Sequence, residues 1–175
     1  WLVAEADESD GSFLRLNPSI AVITNIDSDH LENYDNDFAK VQAAFAEFLQ
    51  RLPFYGLAVL CIDDPEVAAL AADTPRHVMS YGFAENADVR AENVTQEAGR
   101  MKFTLRLPED MQAQVTLALP GRHNVQNALA AAAIGWQLGV SPQNIAQALE
   151  KFSGIGRRFN HLGEFATPSG ARVQL

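Results

Sequence analysis

The sequence predicts an α/β protein: a mostly parallel sheet with helices on both faces, followed by a small antiparallel β-sheet. Three observations carry this. The near-continuous β-branched run Ile20-Ala-Val-Ile-Thr-Asn-Ile26 has the composition of a strand buried on both faces, as in a parallel sheet. Helical periodicities alternate with such runs, and right-handed crossovers then place helices on both faces. Beyond Gly82 the pattern changes to rough alternation of polar and apolar residues, as in Met101, Phe103, Leu105 and Leu107, which suits an antiparallel sheet with one wet face.

The elements follow in order. Trp1-Leu-Val-Ala4 reads as an apolar strand met partway along its length, with Glu5 at its end. Ile20 to Ile26 is the second strand. Asp37 to Arg51 reads as a helix because Phe38, Val41, Phe45, Phe48, Leu49 and Leu52 recur at three- and four-residue steps, with Asp35, Asn36 or Asp37 available as N-cap and Pro53 as the stop. Leu57 to Ile62 is a buried strand. Pro65 to Ala72 is a short helix begun by Asp63 or Asp64, and His77 to Tyr81 is the next strand. Segments 87–94, 100–108 and 111–118 read as short strands joined by the turn signals Glu97-Ala-Gly-Arg100 and Pro108-Glu-Asp110. Two helices, Asn124 to Leu138 and Pro142 to Phe152, complete the regular part, with Gly139 closing the first and Ser141 capping the second. Ala171-Arg-Val-Gln-Leu175 reads as part of a further strand, so both ends suggest an excised piece of a longer polypeptide.

A length of 175 residues fits one compact domain, or a domain and a half, with a continuous apolar core. Thirteen basic residues against 22 acidic ones give a net charge of −9, and no Lys/Arg cluster occurs, which argues against a nucleic-acid or anionic-membrane surface. Cys61 is the single cysteine, so disulfides and cysteine–zinc sites within one chain are excluded, in keeping with a reducing cytoplasm. No stretch is long enough to span a bilayer, and nothing resembles a signal peptide.

Four segments carry chemistry. Val3-Ala-Glu-Ala-Asp-Glu-Ser-Asp10 places four acids in eight residues, and Asp27-Ser-Asp-His30 follows the strand Ile20 to Ile26. Acids this dense repel one another and desolvate badly, so a hard divalent metal carrying phosphate between the two segments explains them better than stability does. Glu5, directly after its strand, is the first candidate ligand for Mg²⁺. His30 can offer a neutral nitrogen that Asp29 orients; an isolated Asp-His pair is more often an Asx-turn with a solvent-facing ring, and it is the companion acidic segment that shifts the balance toward a ligand. Asp7, Glu8 and Asp10 read individually as exposed charges or caps.

In the third segment, Pro120-Gly-Arg-His-Asn-Val-Gln-Asn127, a glycine and polar residues precede an alanine-rich helix. Asn124 and Asn127 share a helix face, where carboxamides match the donor and acceptor edge of an adenine; as pure structure they would be an N-cap and a solvated first-turn residue. In the fourth, Gly154-Ile-Gly-Arg-Arg-Phe159, two arginines can fork onto phosphate oxygens.

Taken in order, Glu5-Ala-Asp-Glu-Ser-Asp-Gly-Ser-Phe13, Thr24-Asn-Ile-Asp-Ser-Asp-His30, Leu52-Pro-Phe-Tyr-Gly56, Pro120-Gly-Arg-His-Asn-Val-Gln-Asn127 and Gly156-Arg-Arg-Phe159 resemble the central, ATP-binding domain of the Mur ligases, nearest its L-alanine-adding branch. The resemblance implies a P-loop-NTPase-like central domain over residues 1–160, with 161–175 beginning or leading to the C-terminal ligase domain. It implies ATP and Mg²⁺ as cofactors, and UDP-N-acetylmuramate and L-alanine as partners of the full-length enzyme. By matching position, Glu5 is the Mg²⁺-binding glutamate and His30 the histidine of a second metal beside the reacting groups. His123, Asn124 and Asn127 hold the adenine, and Arg158 reaches the ATP phosphates. Glu5 and His30 are then expected in one cleft flanked by His123, Asn124 and Asn127. The family's phosphate loop is missing, since no Gly-x-x-x-x-Gly-Lys-Ser/Thr pattern occurs, so the isolated chain is expected to be inactive. Phe45 stands where several siblings place a carbamylated lysine, and no modified lysine is assigned. Alternatives are a sibling ligase that attaches a preformed peptide to the same sugar nucleotide, a metal-dependent phosphohydrolase using Asp27, Asp29 and His30, and a non-catalytic domain.

Overall fold

The computed structural model describes residues 2–154, 164–166 and 172–174. Six strands form one sheet whose spatial order follows the chain: β1 (Ile20–Ile23), β2 (Leu57–Cys61), β3 (His77–Gly82), β4 (Val89–Glu97), β5 (Arg100–Arg106) and β6 (Gln112–Leu117). β1 to β4 are parallel neighbours, and β4, β5 and β6 form an antiparallel meander. The expected small antiparallel sheet is therefore continuous with the parallel one, joined through Tyr81 and Gly82 beside Val89 and Arg90. β7 (Glu164–Ala166) and β8 (Arg172–Gln174) pair as a separate antiparallel ribbon.

β2 shows why the sheet takes helices on both faces. All its residues are buried, and successive side chains point to opposite sides. Leu57, Val59 and Cys61 join the core formed with β3 to β6 and with α3 (Arg122–Gln137) and α4 (Pro142–Lys151). Ala58 and Leu60 join the opposite core with Val41, Phe48 and Leu49 of α1 (Phe38–Gln50) and Val67 of α2 (Pro65–Asp73).

The helix ends follow the local chemistry. The Asp37 carboxylate caps α1 by accepting from Ala39 N (3.0 Å), and Asp64 caps α2 by accepting from Glu66 N and Val67 N (3.0 and 2.9 Å) ahead of Pro65. α3 starts two residues earlier than expected, on Gly121, so Asn124 lies inside its first turn instead of capping it. Its far end is a Schellman motif: Gly139 takes φ 77°, Val140 N donates to Gly135 O and Gly139 N to Trp136 O. The β4–β5 hairpin turns on Ala98 and Gly99, both at positive φ, the geometry of a two-residue type I′ loop.

One element differs outright. Residues 2–7 form no strand, and Leu2 and Val3 are 93% and 92% exposed. An apolar run becomes a strand only where a neighbour completes its hydrogen bonds and a second layer covers it, and here β1 is the edge of the sheet. Glu5 therefore sits in an extended, exposed segment and not at a strand end. The proposed boundary at residues 160 and 161 lies outside the described residues.

Candidate active site

The chain after β1 turns sharply. The Asp27 carboxylate accepts from Asp29 N (3.2 Å) in an Asx-turn and from Asn25 Nδ2 (2.8 Å), while Asn25 Oδ1 accepts from the Thr24 hydroxyl (2.9 Å). His30 then takes φ 57°, in the left-handed region, and begins the 3-10 turn Leu31–Tyr34. Its imidazole is half exposed, with Nδ1 3.8 Å from Glu32 Oε1.

The acid-rich first segment folds over this turn. Phe13 is buried against Phe45 and Phe48, with ring centroids 5.4 and 5.1 Å apart, and Tyr34 donates its hydroxyl to the Glu8 main-chain carbonyl. Asp7 and Asp10 curl back onto Ser9 N and Ser12 N (2.9 and 2.8 Å). The bond with Ser9 holds the Asp7 carboxyl below the usual carboxylate range, helped slightly by the His30 charge; the bond with Ser12 does the same for Asp10.

A cavity of about 230 Å³ opens between the two segments, lined by residues 22–25 and by Ala6, Glu8, Asp27, Asp29, His30 and Phe45. The two acidic segments thus face one space at the carboxyl end of β1, where ligands of open α/β sheets bind. Glu8 lines it, whereas Glu5 does not; Ala6, next to Glu5, does. Phe45 supplies an apolar wall, and Lys40 is turned away, its ammonium paired with Asp35.

The donor set is carboxylate oxygen plus one imidazole, which suits a hard cation. Among the described residues no three His, Cys, Asp or Glu groups stand close enough to enclose a metal by themselves. Mg²⁺ ordinarily needs only one or two carboxylates, completing its shell with water and substrate phosphates, so these residues fit a metal delivered with a nucleotide.

His123, Asn124 and Asn127 line a second cavity, of about 430 Å³, together with Leu117, Leu119, Ala128, Leu149 and Phe152 from the end of β6 and the faces of α3 and α4. Apolar walls with a few convergent amide and imidazole groups suit a flat heteroaromatic base. Asn124 Nδ2 donates to Pro120 O (2.7 Å), which leaves its carbonyl oxygen and its second N–H for a ligand. The two cavities share no lining residue: Glu8 and His30 line the first, and His123, Asn124 and Asn127 the second. Arg158 lies outside the described residues.

Several contributors escaped the sequence. Tyr34 and Phe13 are ordinary aromatic positions in the chain, and their partners lie tens of residues away. Asp63 looks like an alternative N-cap for α2; instead its carboxylate accepts from Phe83 N, Ala84 N and Gln126 Nε2. Only the unusual doublet Asp63-Asp64, one acid more than a cap needs, gave a signal.

The chain is similar to known proteins in sequence and fold. The Mur ligase middle domain family matches residues 3–135. The UDP-N-acetylmuramate–L-alanine ligase of Xanthomonas campestris pv. campestris (strain B100) is 81% identical over all 175 residues, and that of Xanthomonas oryzae pv. oryzae (strain PXO99A) is 79% identical. The chain spans 37% of the length of these curated relatives. Among solved structures, UDP-N-acetylmuramate-alanine ligase MurC from Thermotoga maritima superposes with a TM-score of 0.77 at 28% identity, covering 97% of this chain and 37% of that one. MurF from Acinetobacter baumannii superposes with a TM-score of 0.74 at 30% identity, covering 89% and 34%. A match over most of the chain, on a mostly parallel sheet with helices on both faces, establishes that this chain belongs to the Mur ligase middle domain family.

Proposed function

We propose that this chain is the nucleotide-handling middle part of a cytoplasmic ligase that joins L-alanine to the carboxylate of UDP-N-acetylmuramate at the expense of ATP, in peptidoglycan precursor synthesis. One observation carries the reading: 81% identity, across the whole chain, to ligases named for that reaction. The absence of any helix long and apolar enough to cross a membrane, among the described residues, is compatible with it.

In this reading the muramoyl carboxylate attacks the γ-phosphorus of ATP, releasing ADP and becoming an acyl phosphate, and the amine of L-alanine then attacks the acyl carbon, expelling phosphate, losing a proton and leaving an amide. His123, Asn124 and Asn127 hold the adenine in the apolar cavity at the start of α3, fixing one end of the nucleotide. The cavity after β1 receives the phosphate end. There Asp29 and His30 stand beside the reacting groups and Glu8 lines the space, while Glu5, next to the lining residue Ala6, is the other carboxylate that the first segment offers to Mg²⁺. When bound, Mg²⁺ would offset repulsion between the two anionic reactants and stabilise charge on the transferring phosphoryl group. Arg158 is the proposed phosphate-binding arginine.

The test is ADP release by the full-length ligase. It should depend jointly on UDP-N-acetylmuramate and L-alanine, and the Asn124→Ala, Asn127→Ala double variant should raise the KM for ATP about tenfold or more. Separate Glu5→Ala and Glu8→Ala variants, titrated with Mg²⁺, decide which of the two carboxylates serves the metal. Efficient turnover with a preformed peptide in place of L-alanine would point to the sibling reaction.

A further inference from the structure

The geometry points to Asp63 as a positioning residue that holds the first turn of α3 in place for the nucleotide, acting through Gln126 and Phe83. It rests on the reading above that His123, Asn124 and Asn127 contact the base.

Asp63 lies just past the carboxyl end of β2, the strand beside β1. Its Oδ1 accepts from Phe83 N (2.8 Å) and Ala84 N (3.1 Å), and its Oδ2 from Phe83 N (2.9 Å) and Gln126 Nε2 (2.7 Å). One half-buried carboxylate therefore ties the loop after β3 to a helix 63 residues further along the chain. Hydrogen bonds to an ionised acceptor are the strong kind, and those shielded from water are strongest. Gly82 makes the approach possible: it takes φ 154°, and a Cβ there would stand 2.5 Å from Asp63 Oδ1.

The same loop holds α3 a second time. The guanidinium of Arg122, first residue of the helix, lies 3.9 Å from the Phe83 ring centroid. A third restraint comes from Gly121, at φ 97°: a Cβ there would stand 2.7 Å from His123 Cε1, so the imidazole packs directly over the glycine.

Helical spacing separates the roles. His123, Asn124 and Asn127 line the cavity, whereas Val125 and Leu129 are buried in the core and Gln126 reaches the end of β2 on that side. Gln126 does not line the cavity, yet a shift of its anchor displaces His123, Asn124 and Asn127, which share its helix and do line it. Such a displacement matters because base recognition depends on hydrogen-bond geometry.

A charge-swap series in the full-length ligase tests this. Gln126→Glu sets two carboxylates against each other; the KM for ATP should rise about tenfold, with kcat within about twofold and the KM values for UDP-N-acetylmuramate and L-alanine unchanged. Adding Asp63→Asn places an amide donor opposite the introduced carboxylate, and the D63N/Q126E enzyme should return to within about threefold of the parent KM for ATP. Gln126→Met, which removes only the donor, should move the KM for ATP in the same direction by less. An unchanged KM for ATP in Q126E and Q126M overturns the assignment. So does an equal loss toward all three substrates that Asp63→Asn fails to repair, since that marks general destabilisation. If the N124A/N127A enzyme also kept its KM for ATP, the nucleotide reading itself would fall, a result distinct from failure of Asp63 alone.

Discussion

The hydroxyl of Tyr34 donates to the main-chain carbonyl of Glu8, 26 residues earlier, joining the turn that follows the second acidic segment to the first segment. Burial raises the Tyr34 phenol above its ordinary range, and the charges of Glu8, Asp10 and Asp7 add to the effect, so the hydroxyl stays a donor at all physiological pH. With Phe13 seated against Phe45 and Phe48, the acid-rich loop is fastened at both a polar and an apolar point. Neither fastening uses the carboxylates that the candidate chemistry needs.

Tyr34→Phe should therefore loosen the loop without unfolding the domain. Losing one hydrogen bond of this kind costs about 1 kcal/mol, visible as a small drop in Tm. In the full-length ligase the Mg²⁺ concentration giving half-maximal rate should rise, because Glu8 is no longer held at the cavity. An unchanged Mg²⁺ dependence would show that the loop is held by Phe13 alone.

Asp64→Ala removes the side-chain acceptor for Glu66 N and Val67 N at the start of α2. The expected cost is about 1 kcal/mol, measured as a lower denaturation midpoint at unchanged slope. Restoring a cap with Asp64→Ser should recover most of it. Activity should follow stability only, since α2 lines neither cavity.

Glu92 gives a pH signature far from the site. Its carboxyl lies below the usual glutamate range because Arg106 Nε (2.8 Å) and then Arg90 Nε (3.0 Å) bond its ionised form. A depressed folded pKa contributes stability that is present above the unfolded value and lost as pH falls through the folded one. The Tm gap between the parent and Glu92→Gln should therefore be steady from about pH 7 to about pH 5 and close below about pH 4. A gap that persists undiminished at lower pH would show that the charge is irrelevant to it.

Much of this was legible in the sequence because it rests on local rules. The apolar run Leu57 to Cys61, the spacing of Val41, Phe48 and Leu49, and the Asp-Pro and Ser-Pro helix starts each specify an element without help from distant residues. The order of short motifs likewise identified the family. What escaped depends on partners. Leu2 and Val3 have strand composition, but pairing is a property of two segments, and nothing in one run says whether the other lies alongside. The Asp63–Gln126 contact spans 63 residues, and spacing within a motif is blind to it.

The most direct test of the central claim is coupled turnover by the full-length ligase with ATP, UDP-N-acetylmuramate and a panel of amino acids and short peptides, following ADP and the amide product together. The account predicts one amide formed per ADP released, with L-alanine or its small analogues preferred, and loss of that turnover in His30→Ala. ADP release without UDP-N-acetylmuramate, or preference for a preformed peptide over L-alanine, would contradict it.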